Sequence, residues 1–414
     1  MNRSPTAEGA RTVLLVGTLD TKGEELGFLR DRLRLAGVQA LLADVGTLEA
    51  PRGRPDITRE EVGAETGVDV AALGAAGDRG AAIAAMAGAA AALTRRLYDE
   101  GRIHGVLSAG GSGNTAIATA AMQALPVGVP KLMVSTMAAG DTSDYVGGVD
   151  VTMMASVTDV AGINSISSRI LANAAAAMAG MVLAPEPQLD DGRPLVAATM
   201  FGVTTPCVTR AREALEDKGY EVLVFHATGT GGKSMEALVE GGLLSGVLDA
   251  TTTELCDDLV GGVLSAGPAR LEAAGLAGVP QVVSLGALDM VNFGARDTVP
   301  PKFEDRNLYV HNPSVTLMRT TPEECAELGR RIARKLAAAT GPVSLFVPLN
   351  GVSMIDAEGQ PFHDPEADAA LFGALREGLE GSQVEVVEMD NNVNDDEFAL
   401  AMADKLDEYL RGRR

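Results

Sequence analysis

A strand–helix–strand pattern occurs twice along the chain at a nearly fixed offset, and this constrains the fold more than any other feature. Residues 13–18 form an apolar run that leads into a helical stretch ending at Ala36. Gly37 and a second apolar run, 39–45, follow. Residues 195–199 lead in the same way to Lys218, then to Gly219 and 221–227. Gly37 and Gly219 stand 182 residues apart, as do Gly46 and Thr228. Leu26, Leu29 and Leu33 mirror Val208, Ala211 and Leu215, both sets at helical spacing. The apolar runs 105–107 and 129–134 have counterparts at 246–248 and 279–284. Short apolar strands alternating with helices imply mainly parallel sheets covered on both faces. The expected fold is therefore α/β, with two Rossmann-like three-layer α/β/α subdomains at 1–184 and 195–414. A linker rich in Pro, Asp and Gly at 185–194 joins them. Further strands are expected at 343–348 and 384–387, and helices at 323–339 and 395–410. Thr321-Pro322-Glu323-Glu324 reads as a helix start.

Charge and composition narrow the partners. Lys and Arg number 34 against 56 Asp and Glu, a net charge of −22. A nucleic-acid backbone or an anionic membrane is excluded as the main partner. Aromatics are only 3% and Trp is absent, so base-stacking platforms are scarce. Cys207, Cys256 and Cys325 are far apart and form no C-x-x-C pair, which argues against zinc and for a reducing cytoplasm. The first nine residues lack a signal-peptide core. The most lipid-like stretch, 170–184, is short and contains Asn173; a buried Ala-rich helix is expected there, capped near Asn164.

Three loops stand where parallel strands end. The first holds Gly17, Thr18, Asp20, Thr21, Lys22 and Glu24 and opens a helix. The second holds Gly110, Gly111, Ser112 and Gly113, followed by Asn114. The third holds Thr136, Gly140 and Asp141. Helix starts and Gly-rich turns favour anions, and all three loops emerge at the carboxyl edge where ligands collect. They are the expected seat of a phosphorylated ligand, with Lys22 as the point charge and Asp20 or Asp141 near a metal. The polar segment 48–80 is either a surface excursion with short helices or a lid.

The second half offers Gly229, Thr230, Gly231, Gly232, Lys233 and Ser234 after a strand. This loosened P-loop pattern can serve magnesium nucleotide, a second small anion, or a purely structural turn. His226 is the best acid–base candidate among four histidines, with Glu254 and Asp289 at the same expected edge. No Ser-His-Asp order emerges.

The motifs G-T-L-D-T-K-G-E-E at 17–25, A-A-G-D-R-G at 75–80, G-G-S-G at 110–113 and L-P-V-G-V-P-K-L-M-V-S-T at 125–136 occur together with H-A-T-G-T-G-G at 226–232 and P-L-N-G-V-S at 348–353. Nearly the whole chain resembles the bacterial and fungal proteins similar to the N-terminal inhibitory domain of the tomato mosaic virus resistance protein. That resemblance implies two Rossmann-like subdomains, ATP binding in the first, and a homodimer. Two functional expectations follow. One is ATP, with or without Mg2+, used for activation or phosphoryl transfer on a small acidic or carbonyl substrate. The other is a non-catalytic, nucleotide-sensing interaction module.

Overall fold

The computed structural model describes residues 11–185 and 192–412; most of the linker expected at 185–194 lies outside them. The chain divides into two compact units, Met1–Gln188 and Leu189–Arg414. Both contain a mainly parallel sheet with helices on its two faces.

The N-terminal unit runs β1 (Thr12–Gly17), α1 (Leu19–Leu35), β2 (Gln39–Asp44), α2 (Arg59–Ala64), α3 (Val70–Ala76), α4 (Arg79–Asp99), β3 (Gly105–Gly110), α5 (Ser112–Gln123), β4 (Lys131–Ser135), α6 (Ser143–Val146), β5 (Thr152–Ala155) and α7 (Ser167–Leu183). The strand order is β2-β1-β3-β4-β5, all parallel. The three inner strands lack alternation because both of their faces are buried. Leu26, Leu29 and Leu33 of α1 and Leu171, Ala174 and Met178 of α7 pack on one face. The Ala-rich α4 packs closely with α5, since small side chains let two helices approach. Lys131 is buried in β4 with its ammonium satisfied by Pro126 O (2.7 Å), Val129 O (2.9 Å) and Asp150 Oδ1 (2.7 Å). Burial holds its pKa below the ordinary lysine value despite Asp150.

The C-terminal unit runs β6 (Leu195–Met200), α8 (Thr205–Asp217), β7 (Glu221–His226), α9 (Thr230–Glu240), β8 (Gly246–Thr251), α10 (Glu254–Val260), α11 (Ala273–Leu276), β9 (Gln281–Gly286), β10 (Met290–Phe293), β11 (Leu308–Asn312), β12 (Val315–Arg319), α12 (Pro322–Ala337), β13 (Val343–Pro348), α13 (Pro365–Leu379), β14 (Glu385–Met389) and α14 (Asp396–Arg411). Its sheet order is β14-β13-β9-β8-β6-β7. The segment β7-β6-β8-β9 repeats β2-β1-β3-β4, so the sequence repeat is a repeat of topology. Gly37 and Gly219 close the first helix of each unit at φ 81° and 90°, backbone that only glycine adopts cheaply. Thr321 caps α12 in a full capping box with Glu324, as the sequence implied. Periodicity did not reveal the small antiparallel sheet β10-β12-β11. Its residues Phe293 and Met318 pack into the core beneath α12 and α13.

Two buried arginines organise the polar interior of this unit. Arg270 bonds Asp249 through both terminal nitrogens (2.6 and 2.7 Å), Glu254 through Nε (2.6 Å), and Glu236 (3.2 Å). Arg319 bonds Asp368 (2.7 Å), Asp356 (3.2 Å) and Phe362 O (2.8 Å). Asp289 also belongs to the second network. Its Oδ2 accepts from Ser353 Oγ (2.8 Å), and burial, opposed by Arg319, raises its pKa. Burial likewise raises Asp356 and Asp368.

Removing one partner of a buried ion pair strands the other charge. Arg270→Leu should therefore cost about 3–5 kcal/mol in a urea titration; an unchanged midpoint would contradict the network. Asp289 gives a pH test. Its folded pKa is raised, so the native state holds this proton more tightly than the unfolded chain does. The stabilisation is present at low pH and is lost as pH rises from the ordinary carboxylate range through the raised value. Asn, which cannot ionise, should be nearly neutral at pH 4 and stabilising at pH 8, as read from urea midpoints at the two pH values.

Candidate functional site

In an open parallel sheet a crevice forms where consecutive turns leave toward opposite faces. In the N-terminal unit that point lies between β1 and β3. A cavity of 380 Å³ opens there. The first turn contributes Thr18, Asp20, Thr21 and Lys22 to its lining, and the second contributes Gly111, Ser112, Gly113 and Asn114. Gly17 and Gly110 are the last residues of β1 and β3 and stand behind these turns. Asn114 ties the two turns together. Its Oδ1 accepts from Thr18 N (3.0 Å), while Nδ2 donates to Ser108 Oγ (2.9 Å) and Ala109 O (3.0 Å).

The two helix starts differ electrostatically. At α1, the Leu19 N–H already donates to Asp44 Oδ1 (3.1 Å), and Arg59 neutralises that carboxylate through Oδ2. At α5, Gly111 occupies the N-cap without a side-chain bond. The first ladder bond there is Thr115 N to Gly111 O (2.9 Å). The N–H groups of Ser112, Gly113 and Asn114 have no acceptor among the described residues. Free N–H groups with a helix dipole behind them form an anion seat.

Two charged side chains complete the cavity. Asp20 is 2% exposed; its Oδ2 accepts from Leu48 N (3.1 Å), and its Oδ1 has no partner. Such an orphaned buried oxygen is costly unless something binds it. Arg79 begins α4 and is exposed, with no hydrogen bond or ion pair among the described residues. A Cβ built on Gly113 would lie 3.5 Å from Arg79 Nη2, which places the guanidinium beside the start of α5. Arg79 was missed from sequence, although a signal existed. A cation at the first position of a helix opposes the dipole, so another role has to be sought for it. Segment 48–80 folds into short helices and supplies Leu48, Leu73, Asp78 and Arg79 to one wall of the cavity.

Other expected contacts lie elsewhere. Lys22 is among the residues lining the cavity, but its ammonium donates to Val160 O. Glu24 is exposed and lies near Gly162, outside the cavity lining. Thr136 donates its N–H to Gly110 O (3.3 Å) and flanks Gly111 without lining the cavity. Gly140 closes a turn onto Met137 O (3.1 Å). Asp141 Oδ1 accepts from Ser143 N (2.9 Å) and Oγ (2.7 Å), bonds that hold its pKa below the usual value. Glu24, in α1, and Thr136, Gly140 and Asp141, after β4, are thus absent from the cavity lining where ligand contacts were expected.

The second ligand seat also needs correction. Glu254 is fully buried, and its Oε1 accepts from Gly229 N (2.6 Å) and Gly232 N (3.1 Å). The protein's own carboxylate thus fills the anion seat. A Cβ on Gly232 would lie 2.2 Å from Glu254 Oε2, so the glycine is required by close approach. Gly231 packs on His226 O, and Thr230 and Lys233 are exposed. Ser234 is the fifth residue of α9, and Asp249, needed for magnesium in a P-loop reading, is engaged by Arg270.

The catalytic trio does not assemble. His226 ends the outer strand β7 and is exposed; Glu254 belongs to the Arg270 network; Asp289 belongs to the Arg319 network. Asp289 follows β9, three strands from β7, or roughly 14 Å at the usual strand spacing. Among the described residues no group of His, Cys, Asp and Glu could alone hold a metal ion, and no helix is long and apolar enough to cross a membrane.

Relatives match nearly the whole chain. A UPF0261 protein of Clostridium tetani is 54% identical over 396 residues, 96% of this chain and 98% of the relative. One from Mesorhizobium japonicum is 48% identical over 398 residues, 96% of this chain and 99% of the relative. The ToMV resistance protein Tm-1 of Solanum lycopersicum is 41% identical over 419 residues, 95% of this chain but 55% of the tomato protein. A solved UDP-N-acetylglucosamine 2-epimerase from Rickettsia bellii aligns with 66% of this chain and 78% of its own. Its TM-score of 0.23 and 10% identity are too low to carry a functional argument. The N-terminal domain model of the uncharacterised protein family UPF0261 matches residues 11–187 and its C-terminal domain model residues 193–410, so the chain belongs to that family.

Proposed function

We propose that the N-terminal cavity binds a nucleoside triphosphate, ATP being the nucleotide that the family resemblance implies. The observation that carries this reading is the unfilled start of α5 beside an unpaired Arg79. Phosphate oxygens would accept the N–H groups of Ser112 and Gly113 and pair with the guanidinium, which suits a phosphate in a fork geometry. The orphaned Oδ1 of Asp20 fits a divalent cation of the kind that takes one protein carboxylate together with substrate phosphates. Mg2+ held there would neutralise phosphate charge that Asp20 and Asp78 would otherwise repel. The apolar wall of Leu48, Leu73, Ile83 and Ile117 offers a surface for the base.

Two uses of the nucleotide follow. In the first, ATP drives activation or phosphoryl transfer on a small acidic or carbonyl metabolite. In the second, it sets the state of a non-catalytic module that acts as a homodimer. The second is favoured by one observation: the cavity is lined by no histidine, and the former acid–base candidates of the C-terminal unit are engaged or scattered. A cytoplasmic setting fits three buried thiols without a disulfide.

Titration calorimetry with ATP and Mg2+ tests the site. Arg79→Ala should weaken binding about 10- to 100-fold, the loss of a charge-assisted contact. Lys233→Ala should leave binding unchanged. Equal effects of the two, or no binding by the unaltered protein, would defeat the proposal. Following ADP and AMP with and without pools of carboxylic and keto acids separates the two uses: acid-dependent release supports transfer, and tight binding without release supports the module.

A further inference from the structure

The loop between β5 and α7, residues 156–166, is fastened to α1 by two side chains. Glu25 Oε1 accepts from Gly162 N (2.7 Å). The Lys22 ammonium donates to Val160 O. Lys22 itself interrupts the helix, with φ −123° and ψ 19° inside α1, so its side chain leaves the helix surface at an irregular point. Lys22 is also among the residues that line the N-terminal cavity. Val157, in the same loop ahead of Val160, is a β-branched residue at φ 62° and is 80% exposed. A non-glycine residue in that region is strained and persists only where its surroundings hold it.

Resting on the nucleotide reading above, we infer that Lys22 is a latch: an anionic ligand in the cavity draws the ammonium away from Val160 O and frees the 156–166 loop. A carbonyl oxygen is neutral, whereas a phosphate oxygen is charged, so a phosphate within reach is the stronger partner. Lysine suits the exchange because its ammonium is a compact charge on a flexible four-carbon stem. Glu25 keeps hold of Gly162, and the Val160 side chain keeps its place in the core, so the loop loosens mainly at 157–159 without the unit unfolding. Coupling is reciprocal: whatever holds the latch shut opposes the ligand by the same amount. The cavity would thereby report its occupancy at a surface formed by another part of the same unit.

Hydrogen exchange read by mass spectrometry on the full chain tests this, with calorimetry run in parallel. The probes are ATP with Mg2+ and inorganic triphosphate. Exchange in 156–166 should rise about three-fold or more when either probe binds. Lys22→Met should show the faster exchange without any probe, and Lys22→Arg, which can still donate to Val160 O, should not. If the probes bind and the loop stays unchanged or becomes slower, the trigger is wrong. If Lys22→Met exchanges like the unaltered chain, the latch is wrong. A calorimetric blank with both probes instead overturns the nucleotide reading, and the Lys22→Met comparison still judges the latch by itself.

Discussion

One amide side chain sets the geometry on which the candidate site depends. Asn114 holds the end of β1, through Thr18 N, against the end of β3, through Ser108 and Ala109. The sheet order alone makes the two turns diverge; these three bonds fix how far. A separation fixed in advance spares a ligand the cost of ordering the turns itself. The start of α5 stays uncapped for a separate reason: its N-cap residue is Gly111, which has no side chain to offer the first N–H groups.

The two units show one topology put to opposite uses. Both contain a Gly-rich turn before a helix, and such a turn attracts negative charge whichever unit it occupies. What differs is where the charge comes from. In the C-terminal unit Glu254 supplies it internally, with Arg270 as counter-ion, and Asp249 and Glu236 gather around the same guanidinium. The turn becomes part of the core. In the N-terminal unit Asp44 fills the start of α1, but among the described residues none fills the start of α5. An anion-binding turn is therefore evidence for a ligand only when its seat is not already taken by the chain.

This distinction explains how much was legible in sequence. The fold was readable because apolar periodicity and the 182-residue offset report burial, and burial decides which strands are central. The N-terminal loops were readable as neighbours because parallel strands deliver their turns to one edge. The fate of Glu254 was not readable: it lies 22 residues beyond Gly232, and only the folded chain shows its carboxylate on that residue's N–H. Arg79 was hidden for the same reason. It belongs to a segment whose polarity suggests solvent, and its nearness to Gly113 arises from helix packing between α4 and α5. Asp289 was placed at the correct edge but three strands from His226, since sequence order between strands says nothing about their order in the sheet.

The overall charge of −22 and an anion-binding site are compatible once distance is considered. Charges farther apart than about 8–10 Å are largely screened at physiological salt. What a phosphate meets in the cavity is set by the few groups around it: the α5 N–H groups, Arg79, Lys22, Asp20 and Asp78. Of these, the carboxylates disfavour a bare phosphate and favour one that arrives with a divalent cation. On the proposed reading, such a site would favour a ligand that combines several phosphate oxygens with a metal ion over inorganic phosphate or a simple carboxylate. Selection by charge pattern of this kind needs no aromatic platform, which is consistent with an apolar wall built from Leu and Ile in a chain that has no tryptophan.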